Sequence, residues 1–436
     1  MSNPPFGFGL PSEDPADKSG NPGIPGFDMS QLGAMLSQLG AMMSSATPSA
    51  GPVNYDLARK MAIQNLGATH PVSSVDLAAL RDAMALAEIW LDGATSFPAA
   101  SRTVTAWTAT EWVDKTMPTW QKLVAPIAER MSGALVENLP AEFREQAGPM
   151  LGILSSMGGM AFGSQFAAAL SQLAAEVLTS TDIGLPLGPD GTAALLPRAI
   201  AEFTSSLGIE EDQIRLFLSA REAAHLRLYS SVPWLKDRII AMIADYASHI
   251  SVDMSAAEEM ASSFDPTDLA SLQQQLAQGM MAPKPTPAQE AIAARLEALI
   301  ALVEGWVDTV VSAAIGDRLP SAAALSETLR RRRASGGPAE QTFAALIGIE
   351  LRPRKLRAAA QLWRDLAETR GIEGRDSLWS DFDLLPTSSD LEAPDEFVAR
   401  DKQFSELLAS FDTSELTVAD FEDPKPDTTD PETPKA

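Results

Sequence analysis

The segment 219–229, SAREAAHLRLY, places an arginine, a glutamate and a histidine within little more than one helical turn. It has no helix breaker and follows a periodic stretch, so Glu222 and His225 are predicted to share one helix face at a spacing of three. A zinc peptidase helix reads H-E-x-x-H, where both histidines bind the metal and the glutamate acts as general base. Here Arg221 stands at the first histidine position, and the segment reads R-E-A-A-H.

The same residues are also typical of a charged turn on an ordinary surface helix. Glu-x-x-His pairs occur in di-iron helical bundles as well, but those sites need a second copy. The other two histidines, His70 and His249, follow Gly67 and Tyr246 at that spacing, so no second copy exists. The residues alone leave a modified metal site and a structural helix as alternatives.

Longer segments resemble a known family. They are REAAHLRLYSSVPWLKDRI, ALVEGWVDTVV, the stretch 316–363 and RDSLW. Together they are similar to the actinobacterial zincin-like "zinc-dependent metalloprotease" family of uncharacterised hydrolases, over roughly residues 55–390. The resemblance implies a zincin scaffold with Glu222 in the general-base position. It also implies that His225 and Glu304 occupy metal-ligand positions.

Arg221 departs from that pattern. An arginine side chain has five donors, has no acceptor lone pair and keeps its charge, so it cannot ligate zinc. The two remaining ligands are fewer than the three protein ligands of a typical catalytic zinc site. Asp308, four residues after Glu304, is the candidate substitute. We expect Arg221 to replace the first ligand and to pair with Glu304.

Three functional hypotheses follow. The first is a metallopeptidase-family protein with a degenerate site and no cofactor, acting as a non-catalytic binding or scaffold protein. The second is an active metal-dependent hydrolase or peptidase that binds zinc through an altered set, with Glu222, His225, Glu304 and Asp308. The third is a scaffold that acts mainly through its tails. A protein or peptide partner, bound in the cleft or by the tails, fits all three.

Composition excludes several other classes of function. The chain of 436 residues has no cysteine, which rules out disulfide frameworks and thiolate metal sites. Its 33 basic and 58 acidic residues give a net charge of −25, which argues against a nucleic-acid partner. The first residues lack the basic and apolar parts of a signal peptide, and we expect a cytoplasmic protein without a membrane span.

The pattern along the chain predicts a mainly α, zincin-like helical fold with at most a small sheet. Residues 1–52 are predicted as a disordered segment with a SQLGAM repeat, 53–386 as the helical domain, and 387–436 as an acidic disordered tail. In the tail Phe397, Phe404, Leu408 and Phe411 recur at helical spacing and predict an amphipathic latch, on the protein's own body or on a partner. The uncharged stretch 146–175 is predicted as a buried helix pair, and 183–187 and 193–196 as strands.

Overall fold

A computed structural model describes residues 53–137, 148–205, 207–250, 286–334, single positions between 341 and 349, and 355–410. These parts confirm a mainly α fold with one small sheet. The helices are α1 Tyr55–Leu66, α2 Ser74–Leu91, α3 Ala109–Glu137, α4 Gly148–Glu176, α5 Pro197–Ser205, α6 Glu211–Ser231, α7 Pro233–Ser248, α8 Pro287–Ile315, α9 Ala322–Ala334, α10 Leu356–Asp376 and α11 Pro394–Ser410. The predicted repeat in the first 52 residues lies outside the described residues, as does 411–436.

The uncharged stretch forms the single helix α4 in the structure, so the predicted helix pair was wrong. Its glycines each cost about 1 kcal/mol relative to alanine in a helix, which suggested a break. The helix nevertheless continues because it packs along α1 and α3, and tertiary packing outweighs local propensity.

The sheet has two parallel strands, β1 Thr103–Ala106 and β2 Thr192–Leu195, paired from Thr103 with Thr192 to Ala106 with Leu195. Strand β1 was not predicted. Residues 183–187, predicted as a strand, belong instead to a turn-rich loop between α4 and β2, which we call the 178–191 loop. Gly184 in this loop has a φ of +78°, a left-handed conformation that a regular strand does not contain.

Helices α6 and α8 carry the candidate residues through the centre of the protein. Helix α6 contacts α2, α8 and β2, and α8 contacts α10 and α7. Helix α8 begins with a capping box, in which Thr286 and Gln289 satisfy each other's backbone amides. Of the described helices, the stretch Pro287–Arg318 is long and apolar enough to cross a membrane, and 89% of its most apolar part is buried within the protein.

The position of α8 is fixed by close contacts with α10. A side-chain carbon at Gly305 would lie 2.7 Å from both the Ala359 Cβ and the Ala360 backbone nitrogen, so only glycine permits this approach. The Trp306 indole donates to Asp376 at 2.8 Å, and the Trp363 indole donates to the Leu302 carbonyl at 2.9 Å. Gly305, Trp306 and Asp376 therefore fix the part of α8 that carries Glu304.

Helix α11 lies within the segment whose composition suggested a disordered tail. It packs on α10, where Arg370 pairs with Asp401 at 3.0 Å. Phe397 is buried, whereas Phe404 is 58% exposed. The first of the latch phenylalanines thus packs against the protein's own body. The Leu408 side chain and Phe411 lie outside the described residues.

Candidate functional site

Arg221, His225 and Glu304 meet between α6 and α8. The Arg221 Nη2 donates to Glu304 Oε2 at 2.6 Å, and His225 Nε2 lies 3.0 Å from Glu304 Oε1. All three residues are buried, with relative exposures of 7%, 2% and 1%. We call them the Arg–His–Glu cluster. Residues four apart on α6 share one face, which directs Arg221 and His225 together toward α8.

The cluster orients the imidazole at both of its nitrogens. His225 Nδ1 lies 2.9 Å from the Arg221 carbonyl oxygen, which can only accept, so Nδ1 carries a proton and donates. On the other side of the ring, Nε2 contacts Glu304 Oε1 at 3.0 Å. Both Glu304 oxygens are thereby engaged, one by the guanidinium and one by the imidazole.

Glu222 is bound to the loop beside the cluster. One carboxylate oxygen accepts from the Ser180 hydroxyl and the Ala194 amide, the latter at 3.3 Å. The other accepts from the Thr181 amide at 3.2 Å and its hydroxyl at 2.6 Å. Glu222 is fully buried, and each oxygen has two donors. The structure therefore places Glu222 as an anchor of the 178–191 loop and of β2.

Asp308 points toward α9. Its carboxylate accepts from the Ser326 hydroxyl at 2.6 Å and lies 3.8 Å from the Arg330 guanidinium. Asp308 lies one turn further along α8 than Glu304, and its described partners belong to α9. The structure brings Arg221, His225 and Glu304 together, whereas the described bonds of Glu222 and Asp308 go to other elements.

Two residues that the sequence reasoning missed complete the surroundings. A side-chain carbon at Gly184 would lie 2.7 Å from Glu304 Oε1, so the loop backbone packs directly on this carboxylate. The Tyr229 hydroxyl donates to the Gly184 carbonyl at 2.7 Å. Burial, and then the charge of Glu304, hold the Tyr229 pKa well above its ordinary value of 10. Tyr229 stands four residues after His225, a spacing that could have indicated it.

A family model for zincin-like metallopeptidases matches residues 53–398. The chain belongs to this family. Among solved structures, a provisionally assigned hydrolase with a novel fold from Chloroflexus aurantiacus is similar, with 19% identity and a TM-score of 0.55. The match covers 80% of this chain and 99% of that one, and at this identity it supports the fold alone. No curated protein matches the chain.

The candidate metal-ligand residues of this zincin-like protein do not fit a catalytic zinc site. Such a site needs three protein ligands and an open position for water. Within the described parts of the chain, no three His, Asp or Glu side chains converge in a way that could hold a metal. Arg221 would place a permanent positive charge against the cation, and its contact with Glu304 occupies an oxygen that a metal would need.

A cleft of about 560 Å³ lies on the other side of the 178–191 loop. Its lining includes Ser180 and Tyr229, which touch Glu222 and Gly184 respectively. Arg102 and Lys236 supply positive charge, and Asp190 supplies negative charge beside them. The three cluster residues are not part of this lining. In this zincin-like protein the open cleft and the buried cluster are thus neighbours on opposite sides of one loop.

Proposed function

We propose that this protein is a non-catalytic member of the zincin-like metallopeptidase family, in which an ion pair replaces the metal, and that it binds a protein or peptide in the adjoining cleft. The observation that carries the proposal is the buried contact of 2.6 Å between Arg221 and Glu304. The proposal includes a cytoplasmic location and an actinobacterial source, both drawn from the sequence alone.

Two requirements of zinc-dependent hydrolysis are unmet in this arrangement. The metal lacks a third ligand, because the side chain at position 221 is a donor and not an acceptor. The general base lacks a free lone pair for water, because the Glu222 oxygens accept from Ser180, Thr181 and Ala194. A substitute for one loss would not restore the other, which favours binding over catalysis.

The cleft suits a peptide better than an apolar small molecule. Its lining includes prolines and glycines, among them Pro98, Pro186 and Gly188, together with Ser230 and Ser231. Side chains of both charges, Lys236 and Asp190 among them, also line it. A peptide offers backbone donors and acceptors and charged side chains to such a surface. The net charge of −25 opposes nucleic acid.

Elemental analysis tests whether the purified protein lacks zinc. Protein purified without added zinc is expected to contain far less than one zinc per chain and to leave a mixed peptide library uncut. The alternative, an active hydrolase with an altered ligand set, requires stoichiometric zinc that is lost in His225→Ala and in Glu304→Ala. Glu202→Ala is the matched control, because Glu202 is exposed on α5 and its side chain pairs with Arg198. Stoichiometric zinc with that pattern of loss would overturn the proposal.

A displayed library of random peptides tests the binding part. Peptides that bind the protein are expected to lose at least about tenfold in affinity when Lys236→Glu reverses a charge in the cleft, a change of roughly 1.4 kcal/mol. Arg198→Glu makes the same reversal at a residue that does not line this cleft, and it should leave affinity unchanged. Equal binding to both variants would place the peptide site elsewhere.

Replacing Arg221 by histidine tests the role of this position directly. Arg221→His is expected to raise zinc affinity, because it restores a ligand at the position that the family motif assigns to histidine. Arg221→Met removes the charge without adding a ligand and serves as the control. Competition with a chromophoric chelator measures both affinities, and equal values would contradict the assignment of position 221.

A further inference from the structure

The 178–191 loop is attached to the rest of the protein in two different ways. Its first residues are hydrogen-bonded to β2 through the backbone, with the Ser180 amide donating to the Ala194 carbonyl at 2.8 Å. Between 181 and 188 the described backbone bonds are internal, for example from the Gly184 amide to the Thr181 carbonyl at 2.8 Å. This second part therefore depends on side chains for its hydrogen bonds to the helices.

Glu222 and Tyr229 on α6 supply the shortest of those bonds. Glu222 accepts from both the amide and the hydroxyl of Thr181, and the Tyr229 hydroxyl donates to the Gly184 carbonyl. Asp182 adds a longer ion pair, 4.0 Å from Arg332 on α9. One turn of α6 separates Glu222 from His225, so this helix carries two residues of the cluster and both anchors of the loop.

The anchored part of the loop lies between the cluster and the cleft. On the inner side Gly184 packs on the Glu304 carboxylate. On the outer side Thr181, Pro186 and Gly188 line the cleft. Glycine is required at 184 because its φ is +78° and because any side chain would meet Glu304. Residues 181–188 therefore contact the cluster through Gly184 and line the cleft through Thr181, Pro186 and Gly188.

From this arrangement we infer that residues 181–188 form a strap, held shut by Glu222, that separates the Arg–His–Glu cluster from the cleft. Glu222 is then a positioning residue for the strap and not a base. A buried carboxylate is stable only with its hydrogen-bond donors in place, and the donors to Glu222 come from this loop and from β2. Thr181 of the strap supplies two of the four donors, so the strap and Glu222 stabilise each other. This inference does not depend on whether the cleft binds a peptide.

Hydrogen–deuterium exchange on the full chain tests the strap. Thr181→Val removes one donor to Glu222 at nearly constant volume, and Tyr229→Phe removes the bond to Gly184. Thr181→Val is expected to raise amide exchange in 181–188 at least about tenfold, since bonds to a charged group are among the stronger ones. Tyr229→Phe should raise it about fivefold, since the bond that it removes joins two neutral groups. Glu222→Gln, which puts an amide among four donors, should have a larger effect at the same positions.

The matched control is Thr105→Val, the same substitution in the neighbouring strand β1, where the described hydroxyl contact is a long one of 3.5 Å to the Ala106 carbonyl. It should leave exchange in 181–188 unchanged. Exchange within α8 distinguishes strap opening from general unfolding, because it should stay constant in Thr181→Val and Tyr229→Phe. Unchanged strap exchange in these two variants, or an equal rise in α8, would overturn the inference even if Glu222→Gln does not fold.

Discussion

Removing the Arg221 charge should destabilise the protein because it leaves Glu304 buried with only part of its compensation. Arg221→Met keeps much of the side-chain volume and deletes the guanidinium. Glu304 is 1% exposed, so water cannot replace the lost partner. His225 still contacts the other oxygen at 3.0 Å, which limits the loss.

The expected magnitude follows from the geometry. With the donor and acceptor atoms 2.6 Å apart, the charge centres lie at about 4 Å, which gives about 4 kcal/mol of attraction at an effective dielectric constant of 20. Removing one partner of a buried pair costs roughly 3–5 kcal/mol. Because His225 remains, we expect about 3 kcal/mol for Arg221→Met. The double variant with Glu304→Gln should cost less than the sum of the single variants.

Urea unfolding of the wild type, both single variants and the double variant measures the coupling energy. We expect about 2–4 kcal/mol. The pair Arg198–Glu202 provides a control cycle, because its side chains are 72% and 63% exposed and such pairs contribute less than about 1 kcal/mol. A coupling at the cluster no larger than in this control, or a loss below about 1 kcal/mol in Arg221→Met, would refute the reasoning.

Two further results are expected. Gly184→Ala should lower the free energy of unfolding more than Gly67→Ala does. Both glycines have positive φ (+78° and +69°), but only a side-chain carbon at 184 would press against Glu304. Equal losses of stability in thermal unfolding would argue against that contact. All three tyrosines should stay protonated above pH 10 while the protein is folded, since burial raises each pKa, with the charge of Glu304 adding to the effect at Tyr229. They are Tyr55, with a pKa of about 12, Tyr229 and Tyr246. A tyrosine pKa that is higher in the folded state contributes stability that is complete below pH 10 and is lost as the pH rises through the folded-state pKa. Tyrosinate absorbance should therefore appear together with alkaline unfolding. Tyrosinate absorbance near pH 10 in protein that is still folded would contradict the burial of these side chains.

The sequence predicted the helices that carry the cluster because their signals are local. Helix α8 begins at Pro287 after a capping Thr286, and the apolar pattern continues to Ile315. The chemistry of the arginine side chain alone indicated that position 221 cannot bind zinc. The sequence did not predict that α4 is one continuous helix, because its glycines are tolerated through packing against α1 and α3.

The surroundings of the cluster were not predictable because they depend on contacts distant in sequence. Glu222 bonds residues 41 and 42 positions earlier, and Gly184 meets Glu304 from another part of the chain. A motif fixes which residue stands next to another on a helix, but it does not fix which way a side chain turns. The general-base position and the anchor position are the same residue, and only the location of the 178–191 loop distinguishes these roles.

The Arg221–Glu304 pair and the bonds of Glu222 are physically connected. The Glu304 carboxylate is buried and requires a positive charge nearby. Arg221, on the same helix as His225, provides a permanent one. With the guanidinium on one Glu304 oxygen, the loop backbone at Gly184 packs against the other oxygen. The loop in turn brings Ser180 and Thr181 to Glu222 and engages the oxygens that a base would need. Under the proposed function, Arg221, the approach of Gly184 and the bonds of Glu222 thus form one connected set of contacts.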